Sequence, residues 1–196
     1  MKKTLRIATV GIALIGLVAL GGWLYMRTAM QGFSARAQPS RTEEMLAEFA
    51  RKTAVPSSDR DLKNPIVYSA AVQQEALTHF ADHCAVCHSN NGDGKTMFGK
   101  GLYPKPPDLR AGHTQAMTDG EIFYVIENGI RMSGMPAFGG DGTADDTWKL
   151  VAFIRHLPQL SPSEVTEMET LNPKTPVEAE EEQQEESLGG RESFLN

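Results

Sequence analysis

The sequence predicts an all-α protein: one apolar helix at the N-terminus, a small domain of three main helices and loops, and an acidic tail. Three observations lead there. Residues 7–26 carry no charge. Three later segments repeat apolar residues at helical spacing. The stretches between them are dense in Gly, Pro and Asn and show no strand-like alternation. At 196 residues the chain has room for one domain of ordinary size plus attachments.

The N-terminus reads as a membrane signal. Lys2, Lys3 and Arg6 lie in a short basic stretch, residues 1–6, ahead of Ile7–Met26. Those twenty residues span about 30 Å as a helix, which matches the hydrocarbon core of a bilayer. Trp23 and Tyr25 sit near the far end, where amphipathic rings favour the interface. The competing reading is a secretory signal cleaved after Ala35-Arg36-Ala37. The apolar run is longer than a usual signal core and that site lies well beyond its end, so an uncleaved single-pass anchor is the reading adopted, with the basic end in the cytoplasm.

Residues 27–64 read as a linker with one short helix. Thr42 is its expected cap, Glu43 and Glu44 suit its first turn, and Met45, Leu46 and Phe49 share a face. Pro56-Ser57-Ser58-Asp59 should end it. The folded domain, residues 65–160, begins at Asn64-Pro65 with a helix from about Ser69 to Cys84. Val72, Ala76, Leu77, Phe80 and Cys84 recur along it, and Phe80 is expected to pack on the last helix.

That first helix ends in Cys84-Ala85-Val86-Cys87-His88, the C-x-x-C-H pattern of covalent haem attachment. Each thiol can add across one vinyl group of the porphyrin. Two intervening residues suit one helical turn, and His88 can then give its imidazole to the iron. Competing uses of two cysteines lack parts here. A tetrahedral zinc site needs four ligands, and these are the only cysteines in the chain. A plain disulfide leaves His88 unexplained.

Asn90-Asn91-Gly92-Asp93-Gly94 opens a long loop punctuated by Gly99, Gly101, Pro104, Pro106 and Pro107. Pro107 is either a rigid turn or the residue whose carbonyl orients the His88 ring. Thr118-Asp119-Gly120-Glu121 is a capping box that starts the second main helix, and Asn128-Gly129 stops it. A breaker-rich segment then carries Met132 and Met135. Methionine is usually a core filler, but haem iron needs a sixth ligand. Met135 is preferred over Met132, because Gly134 lets the backbone approach the ring and Pro136 fixes it. The last helix runs from Thr143 or Ala144 to Leu157, with Leu150, Phe153, Ile154 and Leu157 as its buried stripe. His79, His83, His113 and His156 read as surface or satisfied histidines.

Residues 161–196 hold ten Glu against Lys174 and Arg191, a balance of −8, while the rest of the chain sums to +2. They read as an acidic disordered tail. No clustered basic face points to nucleic acid.

Together these residues resemble class I mono-haem cytochrome c, in its bacterial membrane-anchored, oxidase-associated branch. The likeness rests on Cys84-Ala-Val-Cys87-His88 with Asn91-Gly-Asp-Gly94, on Pro107-Asp-Leu, on Asn128-Gly129, on Gly134-Met135-Pro136-Ala-Phe138, and on Phe153-Ile-Arg-His-Leu157. It covers about residues 65–160. The resemblance implies crossed first and last helices around one covalent haem c per chain, held by Cys84, Cys87, His88 and Met135, with His88 and Met135 as iron ligands. It further implies an electron carrier rather than an enzyme, placed in the periplasm by its membrane helix. Such a carrier serves redox protein partners and takes no small-molecule substrate. The alternative is a haem sensor or enzyme with a displaceable methionine. Lys95, Lys100, Lys105 and Arg131 are candidates for steering an acidic partner, though solvated loop residues are the commoner reading.

Overall fold

The computed structural model describes residues 2–28, 34–140, 143–180 and 183–184. They are helical and loop-like throughout, with no strand among the described residues. The chain divides into two compact units, residues 1–37 and 38–196.

The first unit is essentially one helix, α1 (Lys2–Thr28). Its most apolar 18-residue window has a mean hydropathy of 2.2, and none of its 27 residues is buried. By length and composition it suits a membrane span or a signal sequence. The Arg27 guanidinium lies 5.2 Å from the Trp23 ring centroid, on the polar flank of the apolar run.

The second unit starts earlier than Asn64-Pro65. α2 (Arg41–Ala54) is capped by Ser40 rather than Thr42. Ser40-Arg-Thr-Glu43 forms a capping box in which the Ser40 hydroxyl accepts from the Glu43 amide at 3.3 Å. Pro56 ends α2 as expected, but a further turn, α3 (Ser57–Arg60), comes after it and packs on the domain. The Thr118 hydroxyl donates to the Arg60 carbonyl at 2.7 Å, and a Cβ on Gly120 would stand 1.9 Å from the Asp59 carbonyl oxygen. Val55, between α2 and α3, is buried. The segment that reads as a linker therefore belongs in part to the folded body.

α4 (Ala70–His79) is capped by Ser69 and runs without a break into a π-helical turn, Phe80–Cys84, and then α5 (Ala85–His88). Two single turns, α6 (Met97–Lys100) and α7 (Gly112–Gln115), interrupt the long loop beyond it. α8 (Asp119–Asn128) begins at the expected capping box, with Thr118 N–H donating to Glu121 at 2.8 Å. α9 (Ala144–His156) is capped reciprocally by Thr143 and Asp146.

The core lies where α4 crosses α9. Phe80 and Phe153 are fully buried, with ring centroids 5.3 Å apart. The buried side of α9 is wider than the expected stripe. Trp148 and Val151 are also buried, because α8 covers that flank and Phe123 stacks on Trp148 at 4.1 Å.

The acidic segment does not begin as a tail at residue 161. Instead Pro162–Leu171 forms α10, with Met168 fully buried in the core. The cause is local. Ser161-Pro162-Ser-Glu164 is a capping box with Pro at the first helical position, where its missing N–H costs nothing. His156 at the end of α9 bonds Glu164 at 2.7 Å, and Gln73 of α4 reaches the same carboxylate. The Asn90 amide donates to the Asn172 carbonyl at 3.0 Å, and the Asn172 amide returns a bond to Asn90 at 2.8 Å. Residues 176–180 are helical as well. The remaining acidic run, 181–182 and 185–196, lies outside the described residues.

Candidate haem site

Cys84 closes the π turn, and Cys87 and His88 come next on α5. Their loop is held by backbone. Gly94 N–H donates to the His88 carbonyl at 2.9 Å, and Leu109 N–H to the Gly92 carbonyl at 2.7 Å. Gly94 has φ +73°, and a Cβ there would lie 2.5 Å from the Pro106 carbonyl oxygen. Gly99 passes similarly close to the Cys87 and Gly94 carbonyls. These approaches press the proline loop against the Cys-His turn.

Met135 lies on the segment between α8 and α9. Its amide bonds the Ser133 hydroxyl at 3.1 Å, its carbonyl accepts from Ile130 at 3.1 Å, and Gly129 turns the chain at φ +65°. A Cβ on Gly134 would meet the Leu102 side chain at 2.7 Å, so its smallness makes room for Leu102.

Between these walls is a cavity of about 270 Å³. Cys84, Cys87, His88, Pro107 and Met135 all line it, with apolar residues including Phe80, Leu109, Ile122, Ile126, Leu150 and Ile154. Met132 does not line it and is 91% exposed. His83 and Lys105 also reach the cavity, whereas Lys95, Lys100 and Arg131 do not. The Lys105 ammonium donates to the Lys100 carbonyl. Cavity residues that pattern alone does not single out are Arg51, Leu102 and Met117. Arg51 sits outside every motif, and only the packing of α2 brings it there.

The donor chemistry fits a covalently held haem. Both cysteines are free. Burial pushes the Cys84 thiol up to about 12, and burial also raises Cys87, so both are neutral thiols. Burial lowers the His88 pKa, opposed by the Pro107 carbonyl, so the ring is held neutral, as a metal ligand must be. His88 Nδ1 is buried without a hydrogen bond of ordinary geometry among the described residues. An apolar cavity lined by two neutral thiols, an imidazole and a thioether fits a porphyrin and its iron.

Residues 71–154 match the family model described as cytochrome c oxidase, cbb3-type, subunit III. The chain carries a c-type cytochrome domain of the oxidase-associated type. No curated protein matches the chain. A c-type cytochrome domain binds haem and transfers electrons. In the cytochrome domain the matched segment runs from α4 to within three residues of the end of α9, and so takes in both crossing helices and the whole Cys-His and Met135 walls. It leaves out α2, α3 and α10, which frame the same domain from outside.

Proposed function

We propose that the protein is a membrane-tethered electron carrier with one covalent haem c, ligated by His88 and Met135 and held in the periplasm by α1. The observation that carries this reading is that Cys84, Cys87, His88 and Met135 all line one apolar cavity. Bound haem supplies a one-electron iron couple. The protein residues set its terms. Cys84 and Cys87 would hold the haem through thioethers, each S–H adding across one vinyl group, sulfur to one carbon and hydrogen to the other. His88 would give Nε2 to the metal, with the Pro107 carbonyl orienting its ring. Met135 would give its thioether as the second iron ligand, which favours a high potential. The surrounding Leu and Ile side chains exclude water, which keeps the reorganisation on electron transfer small.

Electrons are exchanged with redox protein partners where the cavity meets solvent. Val86 lines it and is 49% exposed, and the exposed Pro104 and Pro136 flank it. The tether raises the local concentration near membrane partners.

The test is the absorption spectrum of exported, purified protein, oxidised and reduced, with and without CO. The expected result is a weak methionine–iron charge-transfer band in the oxidised form, lost in Met135→Ala and kept in Met132→Ala, with no CO shift. A missing band with ready CO binding would overturn the carrier reading in favour of a ligand-binding haem sensor.

A further inference from the structure

We propose that Arg51 of α2 pairs with a propionate of the haem, so that the helix leading from the tether docks through the cofactor itself. This rests on the haem reading above. Arg51 lines the cavity that holds Cys84, His88 and Met135, although it lies twenty residues ahead of the matched segment. Its Nη1 faces the Met117 sulfur at 3.7 Å, and a thioether is a weak acceptor. Among the described residues no carboxylate stands within ion-pair distance of it. Glu48, the nearest in sequence, is taken by Lys52 at 2.9 Å. Glu48 and Glu121 share a neighbouring pocket with Arg51, and Glu48 feels its charge, but Glu121 is paired with Arg60 at 3.3 Å and neither carboxylate bonds the guanidinium directly.

The porphyrin carries two carboxylates, and a carboxylate at an apolar cavity needs a cation beside it. Arginine offers the planar fork that takes a carboxylate through two bonds, and no strong bond must break to free it. Lys105 also reaches the cavity, but its ammonium already donates to the Lys100 carbonyl.

The pairing also explains how α2 stays on the domain. The helix has no buried residue of its own, and Met45, Leu46 and Phe49 are exposed. Tyr103 holds its start through Glu43, and Arg60 holds its end through the Lys52 and Val55 carbonyls. A propionate on Arg51 adds a charged contact in the last turn, on the face that looks into the cavity.

The experiment uses the haem-loaded full chain as wild type, Arg51→Gln, Arg51→Lys and Lys52→Gln. Two quantities are read: the midpoint potential, and the rate of chymotryptic cleavage at Phe49, which requires α2 to open. Arg51→Gln should lower the potential, because a cation beside the ring disfavours the oxidised iron, and should speed cleavage several-fold. Arg51→Lys should fall between Arg51→Gln and wild type, and Lys52→Gln should match wild type in both. Unchanged potential or unchanged cleavage in Arg51→Gln would overturn the pairing, as would equal effects of Lys52→Gln. The haem spectrum of the wild type separates this from the underlying reading: a chain that attaches no haem would overturn both.

Discussion

Met168→Ala measures whether the acidic C-terminal segment belongs to the fold. Met168 is fully buried at the centre of α10 and joins the core cluster of Phe80, Phe153 and Leu157. The substitution removes two carbons and a sulfur. At about 0.8 kcal/mol per buried methylene-sized group, that is about 2.4 kcal/mol of lost transfer energy. The cavity left behind adds to it, since α10 is pinned by Glu164 at one end and Asn172 at the other and cannot settle inward. A loss of about 3 kcal/mol is expected. The assay is urea unfolding of the haem-loaded protein, monitored by the haem absorption band, with Glu169→Ala on the exposed face of the same helix as control. Glu169→Ala should stay within about 0.5 kcal/mol of wild type. If Met168→Ala does the same, α10 is not part of the core and the packing argument fails.

Two further outcomes are set by the geometry. Burial raises the Glu164 carboxyl, but its bonds from Ser161 and His156 outweigh this and leave it below the ordinary 4.5. A depressed folded-state pKa means stability that is present above the unfolded value and is lost as pH falls through the folded one. Urea midpoints of wild type should therefore drop more steeply than those of Glu164→Gln below about pH 4.5, and parallel curves would count against the coupling. Gly94→Ala meets both a φ of +73° and a carbonyl oxygen 2.5 Å from its Cβ, so it should cost more than about 1 kcal/mol and lower the yield of haem-loaded protein; a wild-type yield and midpoint would show that the proline loop can retreat.

The parts of the fold that can be read from sequence are those whose signal is local. Thr118-x-x-Glu121 marks the start of α8, and the period of Leu150, Phe153, Ile154 and Leu157 marks α9. The Cys-x-x-Cys-His run and Met135 can be nominated because each residue type is odd in its setting, and the cavity brings them together. The misreadings share one physical cause. Residue 161 reads as the start of an acidic tail, where Ser161-Pro162 in fact opens a helix, and Thr42 reads as the cap where Ser40 holds that place. A cap is defined by the residue three positions on, and Glu164 and Glu43 occupy those positions. Arg51 is invisible for a different reason. No pattern within α2 says which of its faces meets the domain, since that depends on α3 and on Arg60.

The π turn from Phe80 to Cys84 has one consequence for the whole molecule. Its closing bond runs from the Ala85 amide to the Phe80 carbonyl, five residues back instead of four. One extra residue in a turn sets Ala85–His88 out of phase by about 100° with the helix before it. The rod that buries Leu77 and Phe80 in the core can thus aim Cys84, Cys87 and His88 at the cavity with no joint between them. A cofactor held by those side chains would ride on the same rod that forms the core, and not on a separate loop.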